Sequence, residues 1–197
     1  MSEFVSQAAF EREPAKRVFA AELREASRTF RDEGDEKSPT YLLLPTGERC
    51  NRIMIAGAIT DKSKAGDQNV QYLAKVSDPT GIFYINASSY QPEAMLQLAK
   101  IDTDMPSFVV VIGKPNAYTT PEGRVLVSVR AEAVQVVDRD TRDLWILDTA
   151  RATLDRIDVM FGADNAVSPD VVLAKETYPQ KADHWKKVVF DALSKLV

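Results

Sequence analysis

The sequence predicts a mainly β fold, a five-stranded barrel set between helices, and three observations predict it. Five segments between Arg52 and Val137 alternate apolar and polar residues with the period of two that strands require. One short helical segment, opened by Pro92, interrupts that run between the third and fourth strands. Before and after this region the apolar residues recur at helical spacing instead. A single helix between the third and fourth of five strands is the order of the OB-fold.

Along the chain, Met1 to Glu13 shows no strong periodicity and reads as a lead-in. Pro14 suits a first helical turn, and Phe19, Leu23, Ala26 and Phe30 follow at spacings of four, three and four. The solvent side of that helix carries Glu22, Arg24, Glu25 and Arg28, and a polar linker with Gly34 and Pro39 ends it, so 1–40 reads as an N-terminal helix and linker. The barrel domain follows over 41–140. Arg52 to Thr60 is its first strand, with Ile53, Ile55 and Ile59 on one face and Gly57 where a strand bulges or bends. Asp61 to Asn69 reads as a basic hairpin loop with Lys62, Lys64 and Gly66. Val70 to Ser77 is the second strand, Asp78-Pro79-Thr80-Gly81 a turn, and Ile82 to Ala87 the third strand. The Pro92 helix has Met95, Leu96, Leu98 and Ala99 as its apolar side. Ser107 to Lys114 and Arg124 to Val137 are the last two strands, joined by a loop from Pro115 to Gly123 that contains Tyr118.

A helical extension fills 141–197. Its first helix runs from Thr141 to Phe161, capped by Asp140 or Thr141 and stopped by Gly162. The apolar residues are Leu144, Leu147, Ala150, Leu154, Ile157 and Phe161, the last five spaced three, four, three and four, a seam suited to a partner's helix. Ala163 to Pro179 shows little pattern, and a last helix from Lys181 to Leu196 carries Trp185, Val188, Val189, Ala192 and Leu196 on one side.

With 197 residues, 45% of them hydrophobic and 27% charged, the chain is globular rather than disordered. A formal net charge of −4 excludes a binder that works by bulk positive charge, though not a local basic groove. The single cysteine, Cys50, excludes an internal disulfide. Apolar runs such as Phe108 to Ile112 are too short to span a bilayer, and the acidic start of the chain lacks a signal-peptide pattern. A soluble, cytoplasmic protein is expected.

Catalytic motifs are scarce. His184 is the one histidine, on the last helix beside Trp185, where a surface position explains it. Cys50 has no second cysteine to share a zinc ion with, and no GxxxxGK[ST] or GxGxxG loop occurs. The close acid pairs Asp102/Asp104 and Asp138/Asp140 fit loop and cap roles. The expectation is a protein that is not an enzyme and needs no cofactor or metal.

A binding surface fits better. Sequence-independent recognition of single strands needs a cationic groove and aromatic faces on which bases stack. In OB-folds the ligand crosses strands two and three between the first hairpin loop and the loop joining strands four and five. The barrel region supplies Tyr72, Phe83, Tyr84, Tyr90 and Tyr118, with Arg52, Lys62, Lys64, Lys75, Lys114, Arg124 and Arg130. Alternation puts Phe83 with Ile85 and Tyr84 with Asn86, so one of the two aromatics is core, and Phe83 is the expected one. Tyr72 fits a buried or an exposed position equally well. The predicted contact set is Tyr84, Tyr118, Arg52, Lys62, Lys64, Lys75, Lys114 and Arg124, although each lysine also reads as ordinary surface charge.

Two segments carry a resemblance. Arg12-Glu-Pro-Ala-Lys-Arg-Val-Phe-Ala-Ala-Glu resembles the opening helix, and Pro45-Thr-Gly-Glu-Arg-Cys-Asn-Arg-Ile-Met-Ile-Ala-Gly-Ala-Ile-Thr the first strand, of archaeal replication-protein-A-associated proteins, an OB-fold family. The match extends from about Arg12 to Leu196. The layout is also similar to the middle subunit of replication protein A, where a barrel is followed by a helix that bundles with partner helices. The resemblance implies single-stranded DNA binding in replication and repair, within a hetero-oligomer whose partner is a homologue of the replication protein A large subunit. By position it implies stacking roles for Tyr84 and Tyr118. The chain departs from that subunit after Ala163, where the tail is too short for a winged-helix domain. A second reading makes the barrel a protein–protein adaptor with little nucleic-acid affinity of its own, which the net charge favours.

Overall fold

The structure, a computed structural model, describes residues 12–32, 38–162 and 168–196. Ahead of the barrel come β1 (Lys16–Arg17), α1 (Ala20–Glu25), β2 (Arg28–Phe30), β3 (Tyr41–Leu43) and β4 (Arg49–Cys50). The barrel is β5 (Ile53–Ala65), β6 (Gln71–Asp78), β7 (Gly81–Ser88), β8 (Ser107–Thr119) and β9 (Val125–Val137), with α2 (Pro92–Lys100) between β7 and β8. Three helices follow: α3 (Arg139–Phe161), α4 (Pro169–Thr177) and α5 (Ala182–Leu193).

Strand pairing closes the barrel. Antiparallel ladders join β5 to β6, β6 to β7, β8 to β9 and β5 to β8, while β7 and β9 run parallel. The order β5-β6-β7-β9-β8 returning to β5, with one parallel contact, is an OB-fold. Its interior is filled by the residues that alternation turns inward, among them Ile53, Ile55, Val76, Phe83, Ile85, Val109, Val111 and Val129, all buried. Gly57 lies where β5 passes from β8 to β6: a Cβ there would collide with the carbonyl oxygen of Ser77, and the register shifts just beyond it, between Ile59 and Asp61.

The flanking helices belong to the same core. Phe19 meets Trp145 edge-on with ring centroids 5.8 Å apart, and the Trp145 indole donates to the Met54 carbonyl at 3.0 Å. Ala94 and Leu98 of α2 and Val189 and Ala192 of α5 join this cluster. A second, smaller cluster gathers Leu43, Met160, Val171, Ala174 and Tyr178 around a three-stranded sheet of order β2-β3-β4. Arg49 ties that sheet to α4: it makes a bidentate pair with Asp170 and lies over the rings of Phe30 and Tyr41.

Several expected boundaries change. The helix expected from Pro14 to about Phe30 shrinks to the six residues of α1. Lys16 and Arg17 instead pair with Ile53 and Met54, and Arg28 to Phe30 pair with β3. A helix this short does not stand on propensity alone, so sheet partners on either side decide the backbone. The apolar spacing still serves burial: Phe19, Leu23 and Ala26 are core residues, while Phe30 packs on the smaller cluster. Both expected hairpin loops are mostly strand, because the β5–β6 ladder continues to Ala65↔Gln71 and the β8–β9 ladder to Thr119↔Val125. Solvated strand arms carry polar residues on both faces and so read as loops. The patternless connection before the last helix contains α4, capped by Ser168, whose Oγ accepts from the Val171 amide at 3.3 Å. The start of that connection, 163–167, and most of the expected lead-in fall outside the described residues. No helix among the described residues is long and apolar enough to cross a membrane.

Candidate nucleic-acid interface

Residues paired across neighbouring strands share a face, so the registers fix what the barrel shows outward. One row runs Lys75, Tyr84, Ser128, Asn116 across β6, β7, β9 and β8. The next runs Leu73, Asn86, Arg130, Lys114. Tyr118 and Leu126 form a third pair on the β8–β9 arm, on the same side. Phe83 and Ile85, one residue out of step, are in the core. Tyr84 is 54% and Tyr118 59% exposed, although large aromatic side chains usually find cover.

Both tyrosines line a single groove of about 490 Å³, open to solvent, between α1, β7 and the β8–β9 arm. Arg24 and Leu23 of α1, Ile82 of β7 and Leu126 of β9 also line it. The Arg24 guanidinium reaches over Gly81 at the start of β7, where an added Cβ would stand 3.5 Å from it. Two exposed rings on a mostly apolar floor, with a guanidinium at the rim, suit flat aromatic bases attached to anionic phosphates.

The other predicted contacts divide. Lys114 is on the outward face and exposed. Lys75 is on that face too but pairs with Asp61 at 3.0 Å, a hydrogen-bonded contact that raises the lysine's pKa and lowers the aspartate's. Arg52 is tied to Glu132 at 2.8 Å. Arg124 sits in the exposed tip of the β8–β9 hairpin, where Gly123 has a positive φ of 82°. Lys62 and Lys64 correct the loop expectation: they lie in β5, opposite Ala74 and Tyr72, and therefore face away from Tyr84. Lys62 donates to the carbonyls of Ala99 and Ile101, satisfying the C-terminal end of α2. Arg24 and Arg130 are cations that the sequence reading left out of the site. Arg130 was open to detection, since it lies between buried Val129 and Ala131. Arg24 carried no signal, because only tertiary packing lays α1 beside β7.

No family model matches the chain, and no curated protein gives a significant match. Solved structures of OB-type barrels do resemble it. The second single-stranded DNA-binding protein of Mycobacterium smegmatis is 20% identical, with a TM-score of 0.37, over 45% of this chain and 87% of that one. A structure of yeast Stn1 and Ten1 is 14% identical, with a TM-score of 0.41, over 66% of this chain and 63% of that one. An OBody bound to hen egg-white lysozyme is 15% identical, with a TM-score of 0.38, over 46% and 97%. At these identities nothing about function passes from them to this chain.

The expected seam on α3 splits in two. Ala150 and Ile157 are buried, on the face that also carries Trp145, Ile146, Thr149, Thr153, Arg156 and Met160. Phe161 packs on the smaller cluster. Leu144, Leu147 and Leu154 remain 58%, 50% and 37% exposed. The helix therefore spends half of its apolar pattern on this chain's own core and leaves the other half outside. Its N-cap is Asp138, ahead of the expected Asp140 or Thr141, accepting from the Thr141 amide at 2.8 Å. Arg156 anchors α3 through a buried pair with Glu22 of α1 at 2.8 Å, supported by Thr46 and Thr153.

Proposed function

We propose that this chain is a single-stranded DNA-binding OB-fold subunit that acts with a homologue of the replication protein A large subunit in DNA replication and repair, and performs no chemistry itself. One observation carries the binding role: Tyr84 and Tyr118, from different strands, stand exposed at one groove with the Arg24 guanidinium beside them. Each base stacked on an aromatic side chain contributes about 1–3 kcal/mol and every base offers a π-face, so two tyrosines give useful affinity without reading sequence. The exposed Leu144, Leu147 and Leu154 stripe of α3 supports the partner role, because a helix laid along it would cover apolar surface that this chain leaves open.

The test is fluorescence anisotropy with labelled oligo-dT. Replacing both tyrosines by alanine is expected to weaken binding by at least about 2 kcal/mol, roughly thirtyfold. An unchanged titration refutes the assignment of the groove. The neutralised pairs Lys75–Asp61 and Arg52–Glu132, with the net charge of −4, favour a second reading as an adaptor. A gel shift at low salt that appears only when the partner is present favours the adaptor role or a composite surface.

A further inference from the structure

Lys114 on β8 and Arg130 on β9 are directly opposite each other in the ladder. Like charges at opposed positions of an antiparallel pair destabilise it. Among the described residues neither has an ion-pair partner, and both are exposed. The nearby carboxylates are engaged elsewhere: Glu132 holds Arg52 at 2.8 Å, and Glu13 accepts from the Tyr41 hydroxyl at 2.6 Å. Two cations held side by side without an acid between them form a place for an anion.

The surroundings extend that place into a cleft. Between the β8–β9 arm and the small sheet lies a polar hollow of about 320 Å³, lined by Lys114 and Arg130 together with Thr29, Thr40, Asn51 and Asn116. It adjoins the tyrosine groove along the β8–β9 arm. Tyr118, Asn116 and Lys114 face outward at alternate positions of β8, and Leu126, Ser128 and Arg130 run beside them on β9. The groove reaches Ser128, the hollow begins at Asn116, and these two residues are a register pair. At about 3.3 Å per residue, Tyr118 and Lys114 are roughly 13 Å apart along the strand.

We infer that Lys114 and Arg130 form a phosphate subsite, and that a bound single strand runs along the β8–β9 arm from the tyrosines into this hollow. The inference rests on the single-strand reading above. A phosphodiester oxygen between the two cations turns their repulsion into a bridge, and the amides of Asn51 and Asn116 can donate to the neighbouring oxygens. The path avoids the β5–β6 hairpin because Lys62 and Lys64 face the opposite side and Lys75 is neutralised by Asp61.

The test is the salt dependence of oligo-dT affinity for the full chain, with a Lys114→Gln/Arg130→Gln variant beside Tyr84→Ala/Tyr118→Ala. Each phosphate neutralised on a single strand contributes about 0.7 to the slope of log K against log salt, and the two cations share one phosphate, so the double glutamine variant is expected to lose about 0.7. The tyrosine variant loses affinity and keeps its slope. Thermal melting checks the fold of the glutamine variant, whose Tm is expected to hold or rise once the repulsion is removed. A wild-type protein that binds, with an unchanged slope in a folded glutamine variant, overturns the subsite and leaves the single-strand reading standing. A wild-type protein that binds no oligo-dT overturns both.

Discussion

Arg156→Met is the sharpest probe of how the structure is held together. Glu22 is fully buried and Arg156 only 8% exposed. The guanidinium donates to both Glu22 carboxylate oxygens, at 3.2 and 2.8 Å, and to the hydroxyls of Thr46 and Thr153, each at 3.0 Å. The Thr46 hydroxyl also donates to Glu22. Methionine fills much of the aliphatic volume but leaves the carboxylate with one hydroxyl and no countercharge. Removing one partner of a buried ion pair costs about 3–5 kcal/mol, a large share of the roughly 5–15 kcal/mol that holds a typical protein folded. For a chain of this size, that is a fall in Tm of roughly 6–20 °C. Thermal and urea unfolding followed by circular dichroism measure it. The companion Glu22→Met/Arg156→Met is expected to recover most of the loss, since the unpaired charge leaves with its partner. If the single variant melts with the wild type, or the double variant is no more stable than the single, the pair is not the anchor that joins α1 to α3.

Three further outcomes are expected. Leu154→Glu places a charge in the exposed stripe of α3 and is expected to abolish co-purification with a replication protein A large-subunit homologue, leaving the melting curve of the isolated chain nearly unchanged; retained capture in a pull-down refutes the docking face. Burial, with the neighbouring Glu22 carboxylate, pushes the Cys50 thiol up to about 12. The native protein is therefore expected to resist a thiol reagent at pH 8 and to react once denatured. The same shift sets a sign for stability. The folded state holds this proton more tightly than the unfolded chain, so stability falls as pH rises from 9.0 towards about 12. Cys50→Val is expected to flatten that slope in alkaline urea titrations, and an unaltered slope assigns it to other groups.

Strand alternation is local, and what depends on it was legible in the sequence. The period of two placed Ile53, Ile55, Phe83 and Ile85 in the core and Tyr84 and Asn86 outside, and the position of α2 between the third and fourth strands identified the barrel. The same logic applied to Val129 and Ala131 would have exposed Arg130. Other features depended on partners distant in sequence. Lys62 and Lys64 looked like loop cations until pairing with β6 extended β5 and turned them towards α2. The Pro14 segment had helical spacing, yet hydrogen bonds to β5 and β3 took its two ends into sheets. On α3, apolar spacing could not say that Ala150 and Ile157 would be covered by this chain while Leu144 and Leu147 were not. The sequence by itself therefore determined which way residues such as Phe83, Tyr84, Ile85 and Asn86 point, because that follows from neighbours one and two positions away. Tertiary structure decided which of those outward residues share a groove, which cations are neutralised and which half of a helix stays bare, because each depends on groups that meet only when the chain closes on itself.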